Sequence, residues 1–166
     1  MEQVLDTAPT AVVGRFIEAV SAFDADAMAA VIHPDIVVTE PEGLPFGGVY
    51  RGADVFFNEL LPEIAGVFSL GVEDVRIFGG DSAAACQMTA VYTSRRTGSV
   101  IRMPYVEIYD VVDNMIAKAF VYPHDVTALA LWMEANRCLA GRWSLAPRAG
   151  LVRPSRAGSA RTGWMS

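Results

Sequence analysis

Residues 99–125, SVIRMPYVEIYDVVDNMIAKAFVYPHD, leave the chain few folds to choose from. From Ile101 the residues alternate, so that Ile101, Met103, Tyr105, Glu107, Tyr109 and Val111 share one face of a strand. After a polar turn at Asp113-Asn114, the same period puts Ile116, Phe120, Tyr122 and His124 on a matching face. Two such runs, rich in Val, Ile, Tyr and Phe and joined by so short a turn, predict a long β-hairpin. A hairpin with one strongly apolar face must lay that face on something. Glu107 and His124 interrupt it. A carboxylate on such a face must find a hydrogen-bond partner, hold a proton, or meet water in a cavity.

The helices that could cover the face come mostly before it. Residues 10–23 carry Val12, Val13, Phe16, Ile17, Val20 and Phe23 on one helical stripe. Asp24-Ala25-Asp26 offers capping chemistry for a short helix over 27–32, ended by His33-Pro34, where the residue before proline leaves the helical region. A strand at 36–40 sets Ile36, Val38 and Glu40 on one face. The loop PEGLPFGG, 41–48, has Pro or Gly at five of eight positions and would overhang the sheet. Gly52-Ala53-Asp54 opens a third helix through Phe56, Phe57, Leu60 and Leu61, which Pro62 must kink or restart. Strands at 72–78 and 83–94 precede the hairpin, and a closing helix over 125–136 follows, with Asp125 as its cap. Helices first and an antiparallel meander after them is an α+β pattern. A strongly bent sheet wrapped around those helices leaves a cone-shaped cavity, which Glu40, Glu107 and His124 would line.

The chain's 166 residues suit one domain with a proper core, and 52% hydrophobic content exceeds what a minimal core needs, as a lined pocket or an oligomer interface would require. A net charge of −6 argues against general nucleic-acid binding. No apolar run reaches the roughly 20 residues of a membrane span, and the first residues, MEQVLDTAPT, lack a basic-then-apolar signal pattern, so the expected compartment is the cytoplasm. Cys86 and Cys138 make neither a disulfide framework nor a metal-ligand spacing, and no metal or cofactor is expected. Charge is uneven: residues 137–166 hold six Arg and no acid, whereas residues 1–136 hold seven basic and nineteen acidic residues, a net of −12. This divides the chain into a domain at 1–136 and an Arg-rich tail at 137–166.

The order of these elements, with HPD at 33–35, GVYRG at 48–52 and the VEIYDVVDNMI hairpin, resembles the nuclear transport factor 2-like superfamily, and within it ketosteroid isomerase and the SnoaL-like polyketide cyclases. The resemblance covers roughly residues 10–136 and implies a cystatin-like α+β barrel, a curved sheet with helices around a deep apolar pocket. Residues 10–43 look collinear with the start of bacterial ketosteroid isomerases. Their basic aspartate, followed by proline, falls on Glu40-Pro41, and their oxyanion-hole tyrosine falls on Phe16, which has no hydroxyl. Glu107 falls where the cyclases carry a pocket histidine, and His124, within YPH, where they carry an acid–base aspartate.

Together these readings imply a small, cofactor-independent acid–base enzyme, a cyclase or isomerase. Its substrate would be apolar and carbonyl-bearing, such as a polyketide, terpenoid or steroid-like intermediate. Glu40 or His124 would act as base and Glu107 as partner or proton donor. Phe16 and Phe46 would form apolar walls, and Tyr105, Tyr109 and Tyr122 would add flat walls and hydroxyl donors. Tyr92, Trp132, Met103 and Cys86 read as core. Two alternatives stay open: an epoxide hydrolase or dehydratase, for which only Arg102 offers a guanidinium, and a non-catalytic ligand-binding or dimerisation module. Val106, Ile108 and Val112, opposite Glu107, suggest a homodimer through the outer sheet face.

Overall fold

A computed structural model describes residues 7–137; the Arg-rich tail from residue 138 and the first six residues lie outside the described residues. Helix α1, Pro9–Ala22, starts with proline in its first turn, where a missing N–H costs nothing. Its stripe of Val12, Val13, Phe16, Ile17 and Ala19 is buried against the sheet. Phe23 ends it in the left-handed conformation, φ 53°. Asp24 caps α2, Ala25–Ala29, accepting from the Ala27 N–H at 2.9 Å.

This second helix ends three residues earlier than its expected limit at 32, and strand β1, Ile32–Glu40, already includes His33-Pro34. The proline is tolerated because β1 is irregular there. Its pairing with the last strand jumps from Ile32 to Val37, so no ladder bond is asked of Pro34. Beyond the irregularity, Ile36, Val38 and Glu40 alternate inward. Strand β2, Gly48–Arg51, leads into α3, Ala53–Val55, a π-helical turn at Phe56–Leu60, and α4, Leu61–Ala65. The expected break at Pro62 is absorbed in this way: the wider turn sits just before the proline, and Pro62 occupies the first turn of α4.

Strands β3, Phe68–Gly79, β4, Ala83–Ser94, β5, Val100–Val112, and β6, Met115–Pro123, follow. The six strands form one curved, unclosed sheet in the order β2-β1-β6-β5-β4-β3. Four of its pairings are antiparallel, as the meander predicts. The β1–β6 pairing is parallel, which a strand returning past α3, α4 and the meander makes possible.

The β5–β6 turn is the two-residue loop read from sequence, with Asp113 and Asn114 both at positive φ (50° and 61°), the geometry that matches strand twist. Three residues into β6 the ladder slips. Asp110 faces Lys118 but Val111 faces Ile116, leaving Ala117 as the extra residue of a bulge. Every side chain beyond it changes face relative to an unbroken alternation. Ile116, Ala119, Val121 and Pro123 therefore point into the core.

Helix α5, Val126–Asn136, begins at Asp125, whose carboxylate accepts from the Ala128 N–H at 2.8 Å. Its far end is tied to the β4–β5 turn: Ser94 Oγ donates to the Asn136 carbonyl at 2.9 Å, and Thr97 Oγ1 to Asn136 Oδ1 at 2.7 Å. The loop between β1 and β2 turns inward, burying Leu44 and Phe46. Gly43 passes so close to α5 that a Cβ there would lie 2.7 Å from Val126 Cγ1. No helix among the described residues is long and apolar enough to cross a membrane.

Candidate functional site on the concave face

Glu40 ends the inward row of β1, and Glu107 sits midway along the inward row of β5, between Tyr105 and Tyr109 and opposite Cys86 on β4 and Val121 on β6. Tyr105, Tyr109, Cys86 and Val121 are buried, whereas Glu107 keeps part of its surface accessible. Two surface grooves, of about 520 and 680 Å³, flank α1 and touch neither glutamate. They lack the buried ionisable groups that set this face apart.

Burial pushes Glu40 up to about 8, with the negative charge of Glu107 adding to the rise. Burial likewise raises Glu107, to about 7, while a hydrogen bond donated by the Tyr109 hydroxyl to Glu107 Oε2 pulls it back down. That bond is the asymmetry of the pair. A phenol donating to a carboxylate favours the ionised form, so Glu107 gives up its proton first and Glu40 keeps one. No cation is among the groups that set either shift. Burial and then the Glu107 charge push the Cys86 thiol up to about 12, so it stays neutral. Phe16 packs on Tyr109, ring centroids 5.9 Å apart and nearly edge-on, and Phe56 backs Phe16 at 6.5 Å. The phenol that holds Glu107 is thereby held itself.

Of the residues singled out in the sequence, Glu40, Glu107, Phe16, Phe46, Tyr105 and Tyr109 lie within this interior. Tyr122 and His124 do not. The Ala117 bulge turns both to the outer side, where Tyr122 is 53% exposed and His124 is exposed, its backbone N–H donating to the Pro104 carbonyl at 2.8 Å. Arg102 is on the outer face too, paired with Glu73 at 3.2 Å. Tyr92, read as plain core, brings a hydroxyl into the interior and meets the Tyr105 hydroxyl at 3.0 Å. The sequence signal was there: along β4 the inward row is Ala84, Cys86, Met88, Ala90, Tyr92 and Ser94, and Tyr92 is its one long side chain with a polar tip. Among the described residues no cluster of three His, Cys, Asp or Glu could hold a metal ion.

The sequence model of the SnoaL-like domain matches residues 13–119, which contain both glutamates and Tyr92, Tyr105 and Tyr109. This chain belongs to the SnoaL-like family. Its fold agrees with that placement in the NTF2-like superfamily. A Xanthomonas campestris protein provisionally assigned as a polyketide cyclase superposes with a TM-score of 0.66 at 18% identity, over 75% of this chain and 96% of its own. An NTF2-like protein from Burkholderia thailandensis gives 0.66 at 22% identity, over 76% and 97%. A Catenulispora acidiphila protein with a ketosteroid isomerase-like fold gives 0.58 at 9% identity, over 67% and 83%. Identities this low establish a shared fold. No curated protein matches the chain. What this SnoaL-like domain does must therefore be argued from its own carboxyl pair.

Proposed function

We propose that this SnoaL-like domain is a cofactor-independent acid–base enzyme, a cyclase or isomerase, acting on an apolar carbonyl compound of polyketide, terpenoid or steroid-like type. The observation that carries the reading is the carboxyl pair: a buried and a half-buried glutamate on one concave face, both shifted toward neutrality, distinguished by the Tyr109 bond to one of them. Near neutral pH Glu107 is partly ionised and serves as base, while Glu40 is mostly protonated and serves as donor. The base takes a proton from the carbon beside the substrate carbonyl. The electron pair of that C–H bond moves into the C–C bond, and the carbonyl π pair moves to oxygen, where the Glu40 O–H stabilises the developing charge. The enolate then attacks a second carbonyl to close a ring, or regains a proton at another carbon. Glu107 returns its proton in either case, so the cycle balances. The relatives described as a polyketide cyclase and as ketosteroid isomerase-like in fold support this reading. The outward Arg102 speaks against epoxide opening.

The test is deuterium uptake from D2O into the C–H beside the carbonyls of 1-phenylbutane-1,3-dione, followed by NMR. Glu107→Gln keeps the shape and should slow enzyme-catalysed uptake by roughly 10²–10⁴-fold, the usual weight of one general base. His33→Ala and His124→Ala should leave it unchanged. Uptake that survives Glu107→Gln, or a wild-type protein that catalyses none, refutes the proposal; ligand binding without exchange would favour the non-catalytic module.

A further inference from the structure

The Tyr92 and Tyr105 hydroxyls lie 3.0 Å apart on the concave face, and both side chains are buried. Two phenols bring two protons, and one O···O contact uses one of them. Among the described residues neither hydroxyl makes another hydrogen bond. Whichever tyrosine accepts in the pair is thus left with a proton and no protein acceptor. An unspent O–H donor in an apolar interior costs free energy unless something occupies it. Phe68 holds the Tyr92 ring, meeting it edge-on at 6.1 Å and packing on Trp132 of α5 at 5.5 Å, and the Tyr105 ring lies against Tyr92 at 6.3 Å. Burial raises both phenols above their ordinary range; their mutual bond pulls Tyr92 back and pushes Tyr105 further up, and the charge of Glu107 adds to both, so both keep their protons and act as donors. Tyr105 precedes Glu107 by two residues on the same row, which sets the two positions about 6.6–6.8 Å apart along the strand.

We propose that the Tyr92–Tyr105 pair is a second ligand subsite, a hydrogen-bond donor for an oxygen about one ring's width from the carbonyl served by the two glutamates. This deepens the acid–base reading and rests on its choice of the concave face. It narrows the substrate class to apolar compounds with at least two oxygens, one reacting and one anchored. The pair is a positioning device: it touches the far end of the substrate and orients the reacting carbon over Glu107. The donor and acceptor of the pair polarise each other, so the free proton is a better donor than that of a lone phenol.

The probes are 1,4-diacetylbenzene and 4-isopropenylacetophenone, which differ by one carbonyl oxygen replaced with CH2. Wild-type protein should bind the diketone more tightly by roughly 2- to 12-fold in Kd, the net weight of one hydrogen bond. The double variant Tyr92→Phe/Tyr105→Phe removes both hydroxyls while keeping the rings, and should bind the two probes equally. A wild-type protein without preference, or a preference that survives in the double variant, overturns the subsite. Should the double variant fail to fold, the infrared spectrum of bound 1,4-diacetylbenzene decides in the wild type. Two carbonyl bands lowered in frequency support the subsite, and one lowered band beside one unshifted band overturns it. Glu107→Gln should keep the probe preference while losing deuterium uptake. A tyrosine-dependent preference in a protein that exchanges nothing would sink the enzyme reading and leave the subsite standing; the reverse pattern would sink the subsite alone.

Discussion

Raising the pH through neutrality should destabilise this protein from its interior. The unfolded chain releases the protons of Glu40 and Glu107 near 4.5, whereas the folded chain holds them to about 8 and about 7. Between those limits the native state binds more protons than the unfolded state, so stability must fall as pH rises. It is fully present below about 4.5 and lost on passing the folded values. With both protons at stake up to about pH 7, the slope is about −2.7 kcal/mol per pH unit, and half that from there to about 8. Integrated, Glu40 accounts for about 5 kcal/mol and Glu107 for about 3, a ceiling of about 8 kcal/mol. Domains of this kind have only about 5–15 kcal/mol in total. The assay is urea unfolding at half-unit steps from about pH 5 to about pH 9, on wild type and on Glu40→Gln/Glu107→Gln, with stability extrapolated to water. Subtracting the variant cancels the other titrating groups. A wild-type-minus-variant difference that stays flat or grows with pH would refute the reasoning, because it would mean that neither carboxyl holds a proton against the apolar interior.

Two further outcomes are expected. The outer sheet face exposes Val106, Ile108, Val112 and Tyr122, and we propose that it forms a homodimer interface; Val106→Lys/Ile108→Lys should turn a dimer into a monomer in sedimentation at micromolar concentration, and a monomeric wild type would refute this. Asp125→Ala should destabilise the fold by about 1 kcal/mol, the usual weight of a helix cap, with no effect on deuterium uptake.

The fold could be read from sequence where local rules operate without interruption. β5 alternates unbroken from Met103 to Tyr109, so the faces of Tyr105, Glu107 and Tyr109 followed from parity alone. Val38 and Glu40 did likewise, because the irregularity in β1 lies before them. Tyr122 and His124 were misplaced by one residue, Ala117. A bulge is chosen by how a whole sheet curves and pairs, and alanine carries no local signal for it. The parallel β1–β6 pairing was hidden for a similar reason, since it joins segments with no local relation. The hydroxyl pair is not legible because Tyr92 reads as core, and strand pairing sets it opposite Ile101, so no register rule points to its contact with Tyr105.

That parallel pairing also sets an order of events. Val38 meets Ala119, roughly 80 residues later in the chain, and loop-closure entropy must be met before the contact gives anything back. On a ribosome adding about 5–20 residues per second, β1 and its partner β2 wait about 4–16 s for β6 to be made. Glu40 and Ile36 spend that interval without the sheet that buries them. The strands β3–β5, whose neighbours are consecutive, can zip from their hairpins meanwhile. Docking of the β1–β2 pair onto β6 then brings the carboxyl pair together, and a chain stalled before Met115 would present the other edge of β1 unpaired, a substrate for chaperones.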